Sequence, residues 1–263
     1  MTGLAALAGA WHLPGLPGLG LILFRVIGLF LFAPGLATFS IPPWLRGLAA
    51  IWVAAILWTT LPAAHTLPGS WTLVPAVVVN LGIGMAMGLV VSVPLYAWAQ
   101  AGTLLIQLMG LGLIPPNTPG VALNPSGLSG WFTFLIFATF LTTGGIPLLV
   151  LALHASFQAW PLTHAGLPRG VAGMLAGVLG SILATSLTVA APALAAGMAG
   201  LVTAGLVGRV MPQAPIYFVA TPAVIGAVLV VMVVVTPVWL NWAPAMWQTT
   251  WATLSHWMAV APT

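Results

Sequence analysis

The chain has 263 residues and contains no aspartate, glutamate or lysine; its fixed charges are four arginines, giving a formal net charge of +4. Without side-chain carboxylates it has no acid or base of that kind, no partner to orient a catalytic histidine, and no ligand set for Mg²⁺ or Ca²⁺; without lysine or cysteine, Schiff-base, thiolate and cysteine–zinc chemistry are excluded as well. Hydrophobic residues make up 61%, mean hydropathy is +1.18 and charged residues are 2%, against about 25% in soluble domains, so most of the surface must face lipid or other subunits.

Hydrophobic segments follow one another in chain order. The N-terminus carries no positive region ahead of its first apolar run, so no cleaved signal peptide is expected. Segment one runs from about Gly18 to Phe39 and segment two from Leu48 to Leu61. Segment three, Leu73 to about Ile114, is long enough for two helical pieces. Segments four (Leu128 to Trp160), five (Val171 to Val207) and six (Ile216 to Trp242) precede a Trp-rich tail, Ala243 to Thr263. A crossing needs about 20 apolar residues. The gaps carry turn chemistry such as Ser40-Ile41-Pro42-Pro43, Pro115-Pro116-Asn117 and Met211-Pro212. The expectation is an all-α membrane protein of six to eight kinked or broken hydrophobic helices, arranged as helical hairpins, with no strands. Pro34, Pro75, Pro94, Pro147, Pro192, Pro222 and Pro237 fall inside or at the edges of apolar runs, where proline kinks or breaks a helix. Broken backbone at membrane depth must be buried in protein or line a cavity, which favours an assembly or a conduit over a simple anchor.

Gly84 and Gly88, like Gly173 and Gly177, are four apart, the spacing that lets helix backbones approach. Either pair can serve packing within the chain or contact with another subunit. The tail tryptophans Trp239, Trp242, Trp247, Trp251 and Trp257 suit an interfacial belt. His12, His65, His154, His164 and His256 show no metal-ligand spacing, and no metal or cofactor is expected. His154 and Ser156 are two apart and do not share a helix face, which argues against a hydrolytic pair. Arg46, Arg169 and Arg209 sit at segment ends, and scattered as they are they form no nucleic-acid patch. Arg25 lies inside segment one, where an arginine costs about 2.5–3.5 kcal/mol to insert. It must snorkel, bond backbone carbonyls, or meet an acid on another subunit, with snorkelling the simplest outcome.

Three stretches together resemble the FliR/SctT family of type III export gates. The first is Arg25-Val26-Ile27-Gly28-Leu29 with Ala33-Pro34, Pro42 and Arg46. The second is Asn124-Pro125-Ser126, an apolar run, then Ser156-Phe157 and Pro161. The third and most specific is Gly205 to Gln213, with Arg209, Pro212 and Gln213, followed by Thr221-Pro222. The resemblance spans about Arg25 to Pro237. It implies one integral membrane domain over residues 1–263 in the bacterial inner membrane, within a flagellar basal body or an injectisome. It also implies a non-enzymatic subunit that joins FliP/SctR-type, FliQ/SctS-type and FlhB/SctU-type partners and passes unfolded export substrates. By position, the family's pore plug matches residues 107–124, with Gln107, Met109, Gly110, Leu111, Gly112, Leu113 and Ile114 as its apolar, glycine-flanked core; such a loop can seal against ions by dewetting. The chain departs from the family where Thr103, Asn124 and Val224 stand at positions that usually carry charge. Any acid meeting Arg25 or Arg209 is accordingly expected from a partner. A small-molecule transporter with broken helices is the alternative, but it predicts an internal repeat and a mid-membrane polar cluster, and Asn80, Gln100 and Gln107 form none in sequence. No nucleotide-binding Gly-x-x-x-x-Gly-Lys loop is present, so energy would come from other components.

Overall fold

A computed structural model of the chain describes residues 16–36, 41–61, 73–111, 126–162, 166, 170–210 and 216–260. Among these, seven α-helices and no strands occur: α1 (Leu16–Phe32), α2 (Pro43–Thr60), α3 (Leu73–Leu108), α4 (Ser126–Thr142), α5 (Gly145–Ala159), α6 (Val171–Val210) and α7 (Ile216–Val260). By length and composition α3, α6 and α7 can each cross a membrane, and α4 with α5 passes the same test only as a pair bent by 71°, a broken span or a re-entrant loop. The all-helical membrane architecture expected from composition is therefore present.

Helix ends follow local chemistry. The Ala33 amide closes α1 on Leu29 O at 2.8 Å, and Pro34 then stops the helix with Gly35 at φ 83°, a left-handed conformation that favours glycine. Pro42 and Pro43 open α2, where the missing amide hydrogens are no loss.

The break in the helices falls at a place that the prolines and the hydropathy do not mark by themselves. Pro94 lies inside α3, Pro192 inside α6, and Pro222, Pro237 and Pro244 inside α7, so the helices continue through them. The break falls instead in segment four, at Thr143-Gly144 between α4 and α5. Gly144 takes φ 72°, and a methyl group on Gly145 would run into the Phe140 ring. The freed carbonyls find local donors: the Thr143 hydroxyl bonds Thr139 O at 2.9 Å and Phe140 O at 3.1 Å, and the Gly144 amide bonds Leu141 O. That local satisfaction is what a break at membrane depth demands. Segment three, long enough for two pieces, is one helix of 36 residues, and residues from Ala243 to Val260 continue α7.

The chain divides into two compact units. One comprises residues 1–92, 146–176 and 251–263 and is built on α1, α2, the first half of α3, α5 and the end of α7. Its centre holds Leu21, Ile22, Val26 and Leu29 of α1 against a glycine seam of α3. The other comprises residues 93–145 and 177–250, and its centre is aromatic. Trp98, Phe132 and Trp239 meet edge to face or tilted at 5.1–6.2 Å between ring centroids, and Trp247 packs on Phe140 at 4.8 Å while its Nε1 donates to Thr139 Oγ1 at 3.1 Å. Trp239, Trp247 and Trp257 are thus core residues at 3%, 1% and 6% exposure, which overturns an interfacial belt for those three; Trp242 is exposed.

Candidate functional site

The buried polar centre of the first unit is built around Arg25. Its position on α1 places it opposite α3, and glycines on both helices bring the backbones into contact. A methyl group at Gly28 would strike the Leu81 carbonyl, one at Gly84 the Arg25 carbonyl, and one at Gly88 the Leu29 carbonyl. The Gly84/Gly88 pair therefore serves packing within the chain. Gly173 and Gly177 on α6 have open space where a side chain would start.

This close approach carries the Arg25 side chain past α3 to the end of α5. Arg25 is 0% exposed, so it does not snorkel. Its Nε donates to Asn80 Oδ1 at 2.9 Å, its Nη1 to Ser156 O at 3.0 Å and Ser156 Oγ at 3.3 Å, and its Nη2 to Trp160 O at 3.0 Å. The guanidinium carbon lies 4.3 Å from the centroid of the Phe157 ring. Asn80 is held in turn, its Nδ2 donating to Ala76 O at 2.7 Å and Leu162 O at 3.1 Å. The Ser156 hydroxyl donates to Leu153 O at 2.7 Å.

The electrostatics explain how an arginine is buried in a chain without acids. The carbonyls of Ser156 and Trp160 belong to the last turn of α5 and the residue after it, where helix carbonyls carry the negative end of the helix dipole. Pro161 follows at once and keeps the helix from continuing. A helix C-terminus, an amide oxygen and an aromatic face thus do the work of a counter-ion. Of the three outcomes open to Arg25, the structure shows the bonding of backbone carbonyls, and these partners are on this chain. Chemically the arrangement is a clamp. Arginine does not give up its proton, and the Ser156 hydroxyl spends its hydrogen on Leu153 O, so the site holds α1, α3 and the end of α5 together.

Sequence reasoning singled out Arg25, Ser156 and Phe157, and the structure brings all three together. It missed Asn80, Trp160 and Leu162 as members. Asn80 had a signal, being a strong acceptor alone in an apolar run; the two others act through backbone oxygens, which sequence does not mark. Pro34 ends α1 and is buried. Arg46 lies apart from the clamp, half-buried in the first turns of α2, and Arg209 is exposed in the last turn of α6, where a cation suits the helix dipole. Of the expected plug, Gln107 is exposed on the last turn of α3, Met109 is buried, Gly110 turns with φ 74°, and Leu111 follows half-buried. Gly112, Leu113, Ile114, Asn124, Pro125, Pro212 and Gln213 lie outside the described residues, as do Arg169, His12, His65 and His164. His154 is half-buried, and among the described residues no group of three or more potential ligands could hold a metal.

Gly102 on α3, beside Thr103, has a structural reason to be glycine. A side chain there would meet the Ser129 backbone of α4. Val224, which the resemblance sets at a position expected to carry charge, is buried at 3% against Gly200.

Comparison with known proteins gives two matches. Residues 16–250 match the bacterial export proteins, family 1. The flagellar biosynthetic protein FliR of Caulobacter vibrioides is 25% identical over 207 residues, covering 77% of this chain and 81% of that protein.

Proposed function

Because this chain belongs to the bacterial export proteins, family 1, we propose that it is a structural and gating membrane subunit of a flagellar type III export apparatus. The observation that carries this reading is the reach of the family match, residues 16–250, which takes in both compact units. The likeness to a flagellar FliR favours the flagellar system over an injectisome. Its partners would be FliP- and FliQ-type subunits, with an FlhB-type subunit beside them, in the bacterial inner membrane. The exposed apolar faces of α6 and α7 support membership of an assembly: in the most apolar stretch of each only 22% is buried, against 61% in α3. The subunit works by shape and packing, with no catalytic step of its own.

Co-purification tests the assignment. The chain extracted in mild detergent is expected to elute with FliP- and FliQ-type subunits; persistent elution alone, with those subunits present, would overturn it. The finer part of the proposal is a pore plug over residues 107–124, supported by a helix that ends in an exposed, left-handed glycine, Gly110, before an apolar stretch. Deleting residues 110–116 is expected to make the assembled gate leak ions, and unchanged conductance would remove the plug.

A further inference from the structure

We infer that the cleft between α3 and α6 seats a helix of a partner subunit, an apolar helix that brings amide or hydroxyl side chains to a polar seam on α3. The hydroxyl- and amide-bearing residues of the second half of α3 are Tyr96, Gln100, Thr103 and Gln107. Their spacing of four, three and four residues puts all of them on one helix face, in a line about 16 Å long. This is the spacing of a seam along which two helices pack. The face is open: Tyr96 and Gln107 are exposed and Gln100 and Thr103 half-buried, whereas Trp98, Ala101 and Leu105 between them are buried in the second unit. Tyr96, Gln100 and Thr103 form one wall of a cleft of about 530 Å³, and Leu179, Ile182 and Leu183 of α6 form the other.

Hydrogen bonding limits what can fill the cleft. The Thr103 hydroxyl donates to Ala99 O at 3.0 Å, within its own helix. The Tyr96 hydroxyl and the Gln100 and Gln107 amides make no hydrogen bond to the described residues. On a helix that can cross a membrane, such groups are costly to leave against hydrocarbon, so lipid is a poor occupant. Water alone is a poor one too, because the polar line is narrow and is bordered by Ala99 and Leu104 on α3 and by the leucines of α6. The volume falls among small-molecule sites, roughly 300–1,000 Å³. Those sites bury most of their ligand, but Leu179 is 66% and Leu183 60% exposed, so this cleft is open on its α6 side and suits an elongated body. A helix meets both walls at once: aliphatic side chains cover the leucines, and amide or hydroxyl groups pair with the seam, as polar contacts between membrane helices do. Gly180, exposed between the leucines with open space at its β-carbon position, lets the incoming backbone come close. The partner's seam is uncharged, because no charged residue lines the cleft to neutralise a charge buried there.

The inference rests on reading the chain as a subunit of an export assembly, and the test separates the two. The full chain is co-expressed with FliP- and FliQ-type subunits and purified in mild detergent, with p-benzoylphenylalanine in place of Leu183. Illumination is expected to join the chain to one of those subunits. Gln100→Leu should lower the partner retained per chain about threefold, the factor that one hydrogen bond between membrane helices supplies. Tyr96→Phe combined with Gln100→Leu should lower it about tenfold. The thermal midpoint of each variant purified alone should match that of the unmodified chain, because neither polar group bonds within it; a lower midpoint would assign the stripe to the chain's own fold and overturn the inference. Adducts to lipid or to a stalled export substrate, with none to a subunit, would overturn it and leave the export-subunit reading standing. So would undiminished retention in the double variant. Failure of the unmodified chain to retain any subunit would sink that reading first, and the seam with it.

Discussion

Arg25 shows how one residue organises this chain. Removing its side chain leaves Asn80 Oδ1 and the Trp160 carbonyl without their donor in an interior that water does not reach. Breaking a buried charged network from one side costs about 3–5 kcal/mol, whereas replacing both partners by apolar groups costs far less. Arg25→Met is therefore expected to destabilise the chain by about 3 kcal/mol and Asn80→Leu by about 2 kcal/mol. The double variant should lose at least about 1 kcal/mol less than their sum. Arg25→Lys should not rescue, because a single ammonium cannot span acceptors that a planar fork reaches on α3 and beyond α5. Thermal melts in detergent read all four variants, and strict additivity of the pair would show that Arg25 and Asn80 do not act as a unit. Only half of this was visible beforehand. An arginine inside an apolar run with no acid in the chain can bond backbone carbonyls, one of the outcomes open from sequence, but nothing in the sequence pairs Asn80 with it. Its distance of 55 residues from Arg25 and the backbone character of the other acceptors hid the pairing.

Among the elements, the glycines separate into two groups that identical spacing in sequence could not distinguish. Gly84 is where α3 meets the backbone of α1, and a β-carbon there collides with the Arg25 carbonyl. Gly84→Ala should force the helices apart at a cost of about 2 kcal/mol, in the range for overpacked cores. Gly177 has open space around it. Gly177→Ala should stabilise the chain by about 0.5–1 kcal/mol through helix propensity alone. Melts of the purified chain decide the matter, and the opposite signs matter more than the sizes. A loss of stability in Gly177→Ala would mean that this face of α6 is already covered within the chain. The helices themselves were largely legible because apolar runs bounded by turn residues leave few other choices. The break between α4 and α5 was not, since threonine and glycine are too mildly polar to interrupt a hydropathy run. Its signal is the cluster Thr142-Thr143-Gly144-Gly145 just ahead of Pro147, a breaker pattern that counts residues by backbone freedom rather than by polarity. The tryptophans failed for a related reason. An indole suits both a headgroup belt and a protein core, and burial alone sorts Trp247 from Trp242.

For the molecule as a whole, the absence of acidic side chains makes a claim about pH. Acid denaturation is driven mostly by carboxylates whose pKa in the folded state lies below the unfolded value. Such groups add stability above the unfolded pKa and give it up as pH falls through the folded one. This chain has no aspartate or glutamate to do so. Between about pH 5 and about pH 3, where aspartate and glutamate titrate, this chain has no side-chain carboxylate to bind protons differently in the folded and unfolded states, so that contribution to the slope of stability with pH should vanish. The thermal midpoint of the purified chain, followed by tryptophan fluorescence, is expected to stay level across that window. A sigmoidal loss centred near pH 4 would contradict it and would point to bound lipid or protein supplying the titrating acid. The same measurement on an assembled complex has the opposite expectation. Partners that carry carboxylates would bring an acid transition with them, and its appearance only on assembly would locate the acid-sensitive contacts on their side of the interface.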